Sequence, residues 1–186
     1  MLCRSSYRDI TNIMNDEKTF DELAYLRAEV KRLRTALNGT SPGIDVLLRR
    51  RGFRIYKKEP ADDLLVPAGK YQAGYYRMLH KYSFRLFLRD VIKREGVFTP
   101  DDVTRYATPS VTGEYLDYLL SVKLIRKSSK GYVLAKGPVT SFGVTLEWYI
   151  AEMFKREFKS EAVWSVKFKR PEVGGDYDVI AKFDGS

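Results

Sequence analysis

The chain has 186 residues, 44% hydrophobic and 31% charged, with a formal net charge of +9; that is enough for one substantial core plus smaller units and excludes global disorder. Its one cysteine, Cys3, and one histidine, His80, exclude an intrachain disulfide framework, a cysteine-based zinc site and any site that needs two imidazoles. Neither a bilayer-length apolar run nor a signal-peptide core follows Met1, which reads as a cytoplasmic protein without a membrane partner, nucleoid-associated if it binds DNA.

The charge is unevenly spread. Residues 39–70 carry a net +3 and 71–137 a net +6, whereas 16–38 are neutral and 138–186 carry −1. A basic middle between near-neutral ends points to a polyanionic partner, double-stranded DNA first, with solubility charge as the plain alternative. The pattern of elements predicts an α+β protein, predominantly helical, in four segments: 1–38, 39–70, 71–137 and 138–186.

In the first segment Leu23, Leu26, Val30, Leu33 and Leu37 are spaced 3, 4, 3, 4, as in a heptad seam. With Leu23, Val30 and Leu37 at a and Leu26 and Leu33 at d, a parallel two-stranded coiled coil over 16–38 is expected. Glu22 and Glu29 then fall at g and Arg27 and Arg34 at e, so that each glutamate faces an arginine of a second copy. The alternative is that the stripe docks on the rest of its own chain.

Residues 39–70 read as a basic connector. A breaker cluster at 39–43 leads into a short amphipathic stretch around Ile44, Val46, Leu47 and Leu48, then Arg49, Arg50 and Arg51, and an alternating apolar–basic run from Phe53 to Lys58. The three arginines either lie along phosphates or form a solvated face.

Tyr71 to Gly96 reads as one long helix. It carries Tyr75, Leu79, Tyr82, Leu86 and Phe87 on one side and a basic ridge of Arg77, Lys81, Arg85, Arg89 and Lys93 at i+4 spacing on another. Thr99-Pro100-Asp101-Asp102 is a helix start, with threonine at the N-cap, proline at N1 and acids in the first turn. Thr108-Pro109-Ser110 opens a further helix with Leu116, Leu119 and Leu120 as its apolar stripe, and residues 124–135 read as strand, turn and strand.

Helix, short helix, helix and hairpin over residues 72–137, with Tyr115 to Ile125 as the helix entering the hairpin, resembles the winged helix-turn-helix family of DNA-binding domains. The resemblance implies that Ser110, Thr112, Tyr115 and Tyr118 face the major groove and that Arg126, Lys127 and Lys130, with Arg105, contact phosphates. One feature departs from it: residues 108–122 contain Glu114 and Asp117 and no lysine or arginine. Winged helices also serve as protein-docking modules, so a non-enzymatic interaction scaffold stays open.

Residues 138–186 predict an αββ unit: a helix from Ser141 to Phe158, a strand from Val163 to Arg170 with Trp164, Val166 and Phe168 on one face, and a second strand over 176–183. Helix, strand and Asp-rich strand resemble the opening of the PD-(D/E)XK restriction-endonuclease-like fold. That resemblance implies Glu147 and Asp178 as catalytic carboxylates, with Asp178, or Asp176 as the alternate, holding a metal. The Glu-x-Lys strand that completes such a site is absent from these residues. The chain therefore holds no cofactor by itself, with Mg²⁺ expected if it is the N-terminal portion of a complete nuclease. The open sheet edge calls for a missing C-terminal segment or a partner strand. His80 has no nucleophile and acid around it in the sequence and reads as a surface or structural residue.

Overall fold

The computed structural model describes residues 22–33, 36, 42–137, 139–170 and 174–183. The chain divides into two units, Met1–Gly43 and Ile44–Ser186. Among the described residues the fold is mixed α+β, with six α-helices, a 3-10 turn and five strands in two antiparallel sheets.

In the first unit, residues 22–33 form helix α1. Leu23, Leu26, Val30 and Leu33 make one stripe along it and are 47–51% exposed. Glu29 is held within the helix, its carboxylate accepting from Arg32 at 2.6 and 2.9 Å. Leu37, Arg34 and the ends of the expected 16–38 helix lie outside the described residues.

The second unit begins with α2 (Ile44–Arg50) and β1 (Arg54–Lys57), in the segment expected to be a connector. These elements belong to a sheet. β1 pairs antiparallel with β4 (Glu161–Lys169), which pairs antiparallel with β5 (Gly174–Lys182), giving the order β1-β4-β5. The sheet expected to have two strands thus has three: β1, more than a hundred residues upstream, pairs with β4, and β5 stays at the edge of the sheet among the described residues.

The sheet packs on both faces. Ala162 and Trp164, with Val179 and Ala181, join the core beneath α6 (Gly143–Glu157), whereas Val163, Val166, Phe168, Ile55 and Ile180 pack with Ile44, Leu48 and Phe53 around α2. The face that β4 presents changes at Ser165, whose φ of 50° lies in the left-handed region. Strict alternation would put Trp164, Val166 and Phe168 together; the Ser165 backbone sends Trp164 to the α6 side and Val166 and Phe168 to the α2 side.

The long helix expected from Tyr71 to Gly96 is two helices, α3 (Gly69–Leu79) and α4 (Tyr82–Lys93). Lys81 between them is extended, with ψ 118°. The carbonyls freed at the break are satisfied by Arg85, whose Nη1 donates to Leu79 O and, at 3.2 Å, to His80 O. No glycine or proline marks the break; a side chain one turn ahead stabilises it.

The 3-10 turn Pro100–Val103 starts at Thr99, whose N–H and hydroxyl donate to the Asp102 carboxylate at 2.8 and 2.9 Å. α5 (Pro109–Ser121) starts at Thr108, whose Oγ1 accepts from Val111 N–H at 3.4 Å. The hairpin β2 (Ile125–Ser128) and β3 (Gly131–Leu134) follows, and Phe98 pairs with Tyr132 through two backbone hydrogen bonds of 2.9 and 2.8 Å. Gly131 is required there: its φ is +145°, and a Cβ would sit 2.3 Å from Phe98 O.

One hydrophobic core runs from Leu65 through α3, α4, α5 and the hairpin to Trp164, across the boundaries drawn in sequence at 70 and 137. Its aromatic centre is Phe84, fully buried, with ring centroids of Tyr75, Phe87, Tyr115 and Tyr118 at 5.0–6.2 Å. Phe84→Ala removes the ring on which four others lean. It is expected to lower unfolding free energy by about 3–5 kcal/mol in urea denaturation; a loss under about 1 kcal/mol would contradict this packing.

Candidate nucleic-acid interface

The side chains expected to contact DNA divide sharply by burial. On α5, Ser110 is exposed, but Thr112 and Tyr115 are 0% and 3% exposed and Tyr118 is half-buried. Tyr115 shares a hydrogen bond with Ser83 at 2.8 Å, and the Tyr118 hydroxyl is buried against Gly74 of α3. Thr112 and Tyr115 are therefore core residues and cannot face a groove. With Leu116 and Leu119 they form an i, i+3, i+4, i+7 stripe, a spacing that the sequence shows once the stripe is extended to include them. The solvent face of α5 is left with Ser110, Glu114, Asp117 and Ser121, acidic and neutral.

The basic ridge is likewise partly structural. Arg85 caps the α3–α4 break and stacks over the rings of Tyr82 and Tyr149 at 5.4 and 5.7 Å. Arg89 lies over Tyr106 at 5.2 Å and pairs with Asp90 at 3.3 Å. Arg77 and Lys81 are exposed, as is Arg105, which lies over Tyr106 at 5.3 Å.

The hairpin presents cations that are not used in this way. Arg126 and Lys127 on β2 and Lys130 at the turn are exposed, and none forms an ion pair among the described residues. The ribbon beneath them is anchored by buried Leu124 and Ile125 and by the Phe98–Tyr132 pairing. Three cations are thus held on a rigid two-stranded ribbon. Arg49, Arg50 and Arg51 are exposed at the end of α2, and Arg51 O accepts from Arg170 at 3.0 Å.

A second cluster forms where α6 crosses the sheet. Burial pushes the Glu147 carboxyl above its ordinary range, and the nearby Asp178 and Asp176 add to this, while a hydrogen bond from Ser165 and the charge of Lys167 oppose it. Glu147 Oε2 is buried without a hydrogen-bond partner. Glu147 thus lies within electrostatic reach of Asp178 and of Asp176, with Lys167 opposite Asp176 in the β4–β5 register. Among the described residues, however, no three His, Cys, Asp or Glu side chains are placed to hold a metal ion.

His80 sits edge-on to Tyr76 and Tyr149, its Nδ1 3.3 Å from the Tyr149 hydroxyl. The Tyr76 phenol is pushed up to about 12, by burial first and then by its 3.0 Å bond to Glu157. No helix among the described residues is long and apolar enough to cross a membrane. Comparison with protein-family models, with curated proteins and with solved structures found nothing that matches this chain.

Because the Glu147 pKa is higher in the folded chain than in an unfolded one, the native state holds this proton more tightly, and stability falls as pH rises through the raised value. Glu147→Gln removes that loss. The variant is expected to melt higher than wild type at neutral pH, with the difference shrinking as pH falls through the raised value and levelling off below the ordinary carboxyl value of 4.5; a melting-temperature difference independent of pH would contradict the assignment.

Proposed function

We propose that this protein is a dimeric DNA-binding protein that grips duplex DNA through its phosphates, with residues 72–137 acting as a winged helix-turn-helix. The order of elements supports this reading: α4, the Phe98 bridge, the 3-10 turn, α5 and the β2–β3 hairpin follow one another as the helices, first strand and wing of such a domain would. The observation that carries it is the hairpin, where Arg126, Lys127 and Lys130 stand exposed and without acidic partners among the described residues. Phosphate contacts from a wing set register and affinity without reading sequence. With Glu114 and Asp117 on its solvent face, α5 is repelled by the backbone and contributes core packing instead of base contacts.

The double charge reversal Lys127→Glu/Lys130→Glu is expected to weaken binding of a 20-base-pair duplex by roughly tenfold or more and to lower the log–log salt slope by about 1.8, from about 0.9 per phosphate contact. Its thermal stability should be unchanged, because both side chains are exposed. Unchanged affinity in a gel-shift or anisotropy titration would refute the hairpin as the contact.

The exposed Leu23, Leu26, Val30 and Leu33 stripe supports self-association through α1, since such a stripe stays unburied unless a second helix covers it. Leu26→Glu/Leu33→Glu is expected to convert a dimer to a monomer in sedimentation equilibrium at micromolar concentration. A wild-type monomer would contradict the dimer.

A second reading, DNA cleavage, is favoured by one observation: the raised Glu147 carboxyl lies beside Asp178, Asp176 and Lys167. Acids and a lysine of this kind suit phosphodiester hydrolysis with Mg²⁺ once further ligands close the site. Supercoiled plasmid nicked in Mg²⁺, spared in EDTA and spared by Asp178→Asn would support it. Intact plasmid in both conditions would leave DNA binding alone.

A further inference from the structure

We propose that the cationic face of the β1–β4 pair is a binding surface for an unpaired nucleic-acid strand, distinct from the hairpin that holds duplex. The proposal rests on the DNA-binding reading for the nature of the partner, and on the β1–β4 register for the site.

In that register Arg54 lies directly opposite Lys169 and Lys57 directly opposite Lys167. Directly opposed residues of an antiparallel pair share a face, and residues two apart on one strand share it too, so all four cations stand on one side. Ile55 and Phe168, the pair between them, turn to the other side and pack around α2. Like charges placed opposite each other destabilise a sheet. The fold relieves them unevenly, Lys167 most and the Arg54–Lys169 pair least. Lys57 reaches Asp62 at 3.9 Å, and that carboxylate is 92% exposed; Arg54 and Lys169 form no ion pair among the described residues. Lys167 is the exception: it lies opposite Asp176 and its charge acts on Glu147 of α6, so the free charge of this face is that of Arg54, Lys57 and Lys169.

The geometry of this face selects the partner. Its cations repeat about 4.8 Å across the strands and about 6.7 Å along them, a compact lattice that fits one sugar–phosphate backbone. The two backbones bordering a major groove stand about 12 Å apart, so a duplex offers this face phosphates from one strand only. The irregularity between Ile55 and Lys57 adds an aromatic: Tyr56 is 59% exposed, with Lys169 Nζ 5.6 Å from its ring centroid. Cations beside an exposed ring are what a single strand needs, phosphates on the charges and a base on the ring. Paired, stacked bases have no face to offer Tyr56. An anionic membrane would need apolar side chains to insert, and Tyr56 is the exposed large hydrophobic residue of β1 and β4.

The test uses the full chain with fluorescein-labelled dT20, a 20-base-pair duplex and phosphatidylserine vesicles, and three proteins: wild type, Lys57→Glu/Lys169→Glu and Tyr56→Ala. Wild type should bind dT20. The charge-reversed variant should lose affinity for it, with its log–log salt slope lowered by about 1.4, from about 0.7 per single-strand contact, and should keep its duplex affinity. It should also melt no lower than wild type, because each glutamate faces a cation in place of a like charge. Tyr56→Ala, at an exposed position, should weaken dT20 binding by between about fivefold and a hundredfold and leave the duplex unaffected.

Variants that bind dT20 as wild type does would overturn the sheet site while leaving the hairpin reading intact, as would a wild type that binds duplex alone. Strand binding lost in the variants, with no duplex binding by any protein, would support the sheet site and remove the hairpin reading. Binding to the vesicles and to neither oligonucleotide would overturn both.

Discussion

The arrangement of the second unit depends on one buried peptide. Leu65 is fully buried in a loop; its N–H donates to Thr145 Oγ1 on α6 at 3.0 Å, and its carbonyl accepts from the Tyr75 hydroxyl on α3 at 2.7 Å. Backbone groups inside a core must be paired, and here the pairing comes from side chains of two helices that meet nowhere near each other in sequence. Burial pushes the Tyr75 phenol far above its ordinary range, so it stays a donor at every physiological pH. This clamp ties the helical part of the unit to the sheet. It seats Tyr75 against Phe84 and Trp148, and it fixes the helix that carries Glu147 over Ser165 and Lys167.

From that constraint follows a division of the cations. Several arginines are consumed by the fold: Arg85 on the Leu79 and His80 carbonyls, Arg156 on Glu152 at 2.8 Å and above Tyr76, and Arg170 on the Phe53 ring at 3.7 Å and the Arg51 carbonyl. A planar guanidinium that can stack and donate at once suits these places. The hairpin cations form no ion pair among the described residues, and of the β1–β4 cations Lys57 reaches only an exposed Asp62 and Lys169 lies over Tyr56. A protein that only needed solubility would gain nothing by setting Arg54 against Lys169 and Lys57 against Lys167. On the proposed reading, a polyanion would supply the missing charge.

Local chemistry was the part legible in the sequence. Thr99-Pro100 and Thr108-Pro109 open their helical segments where they were expected, and the hairpin turns at Ser129-Lys130, because caps and turns are decided within four or five residues. The spacing of Leu23, Leu26, Val30 and Leu33 was also readable as one stripe of a helix. What escaped was non-local. The α3–α4 break has no breaker residue, only Arg85 reaching back. The pairing of β1 with β4 joins residues more than a hundred positions apart, so residues 44–57 looked like a connector. Thr112 and Tyr115 were assigned outward because the leucines alone defined the stripe, although their spacing from Leu116 and Leu119 already placed them with it.

The most direct measure of the central claim, that cations spared by the fold hold a nucleic acid, is amide hydrogen exchange of the full chain with and without a 20-base-pair duplex. Phosphate contact at the hairpin predicts slowed exchange across residues 125–134, with the amides of α5 from Pro109 to Ser121 unchanged. Protection centred on α5, or a hairpin that exchanges at the same rate in saturating duplex, would contradict the account.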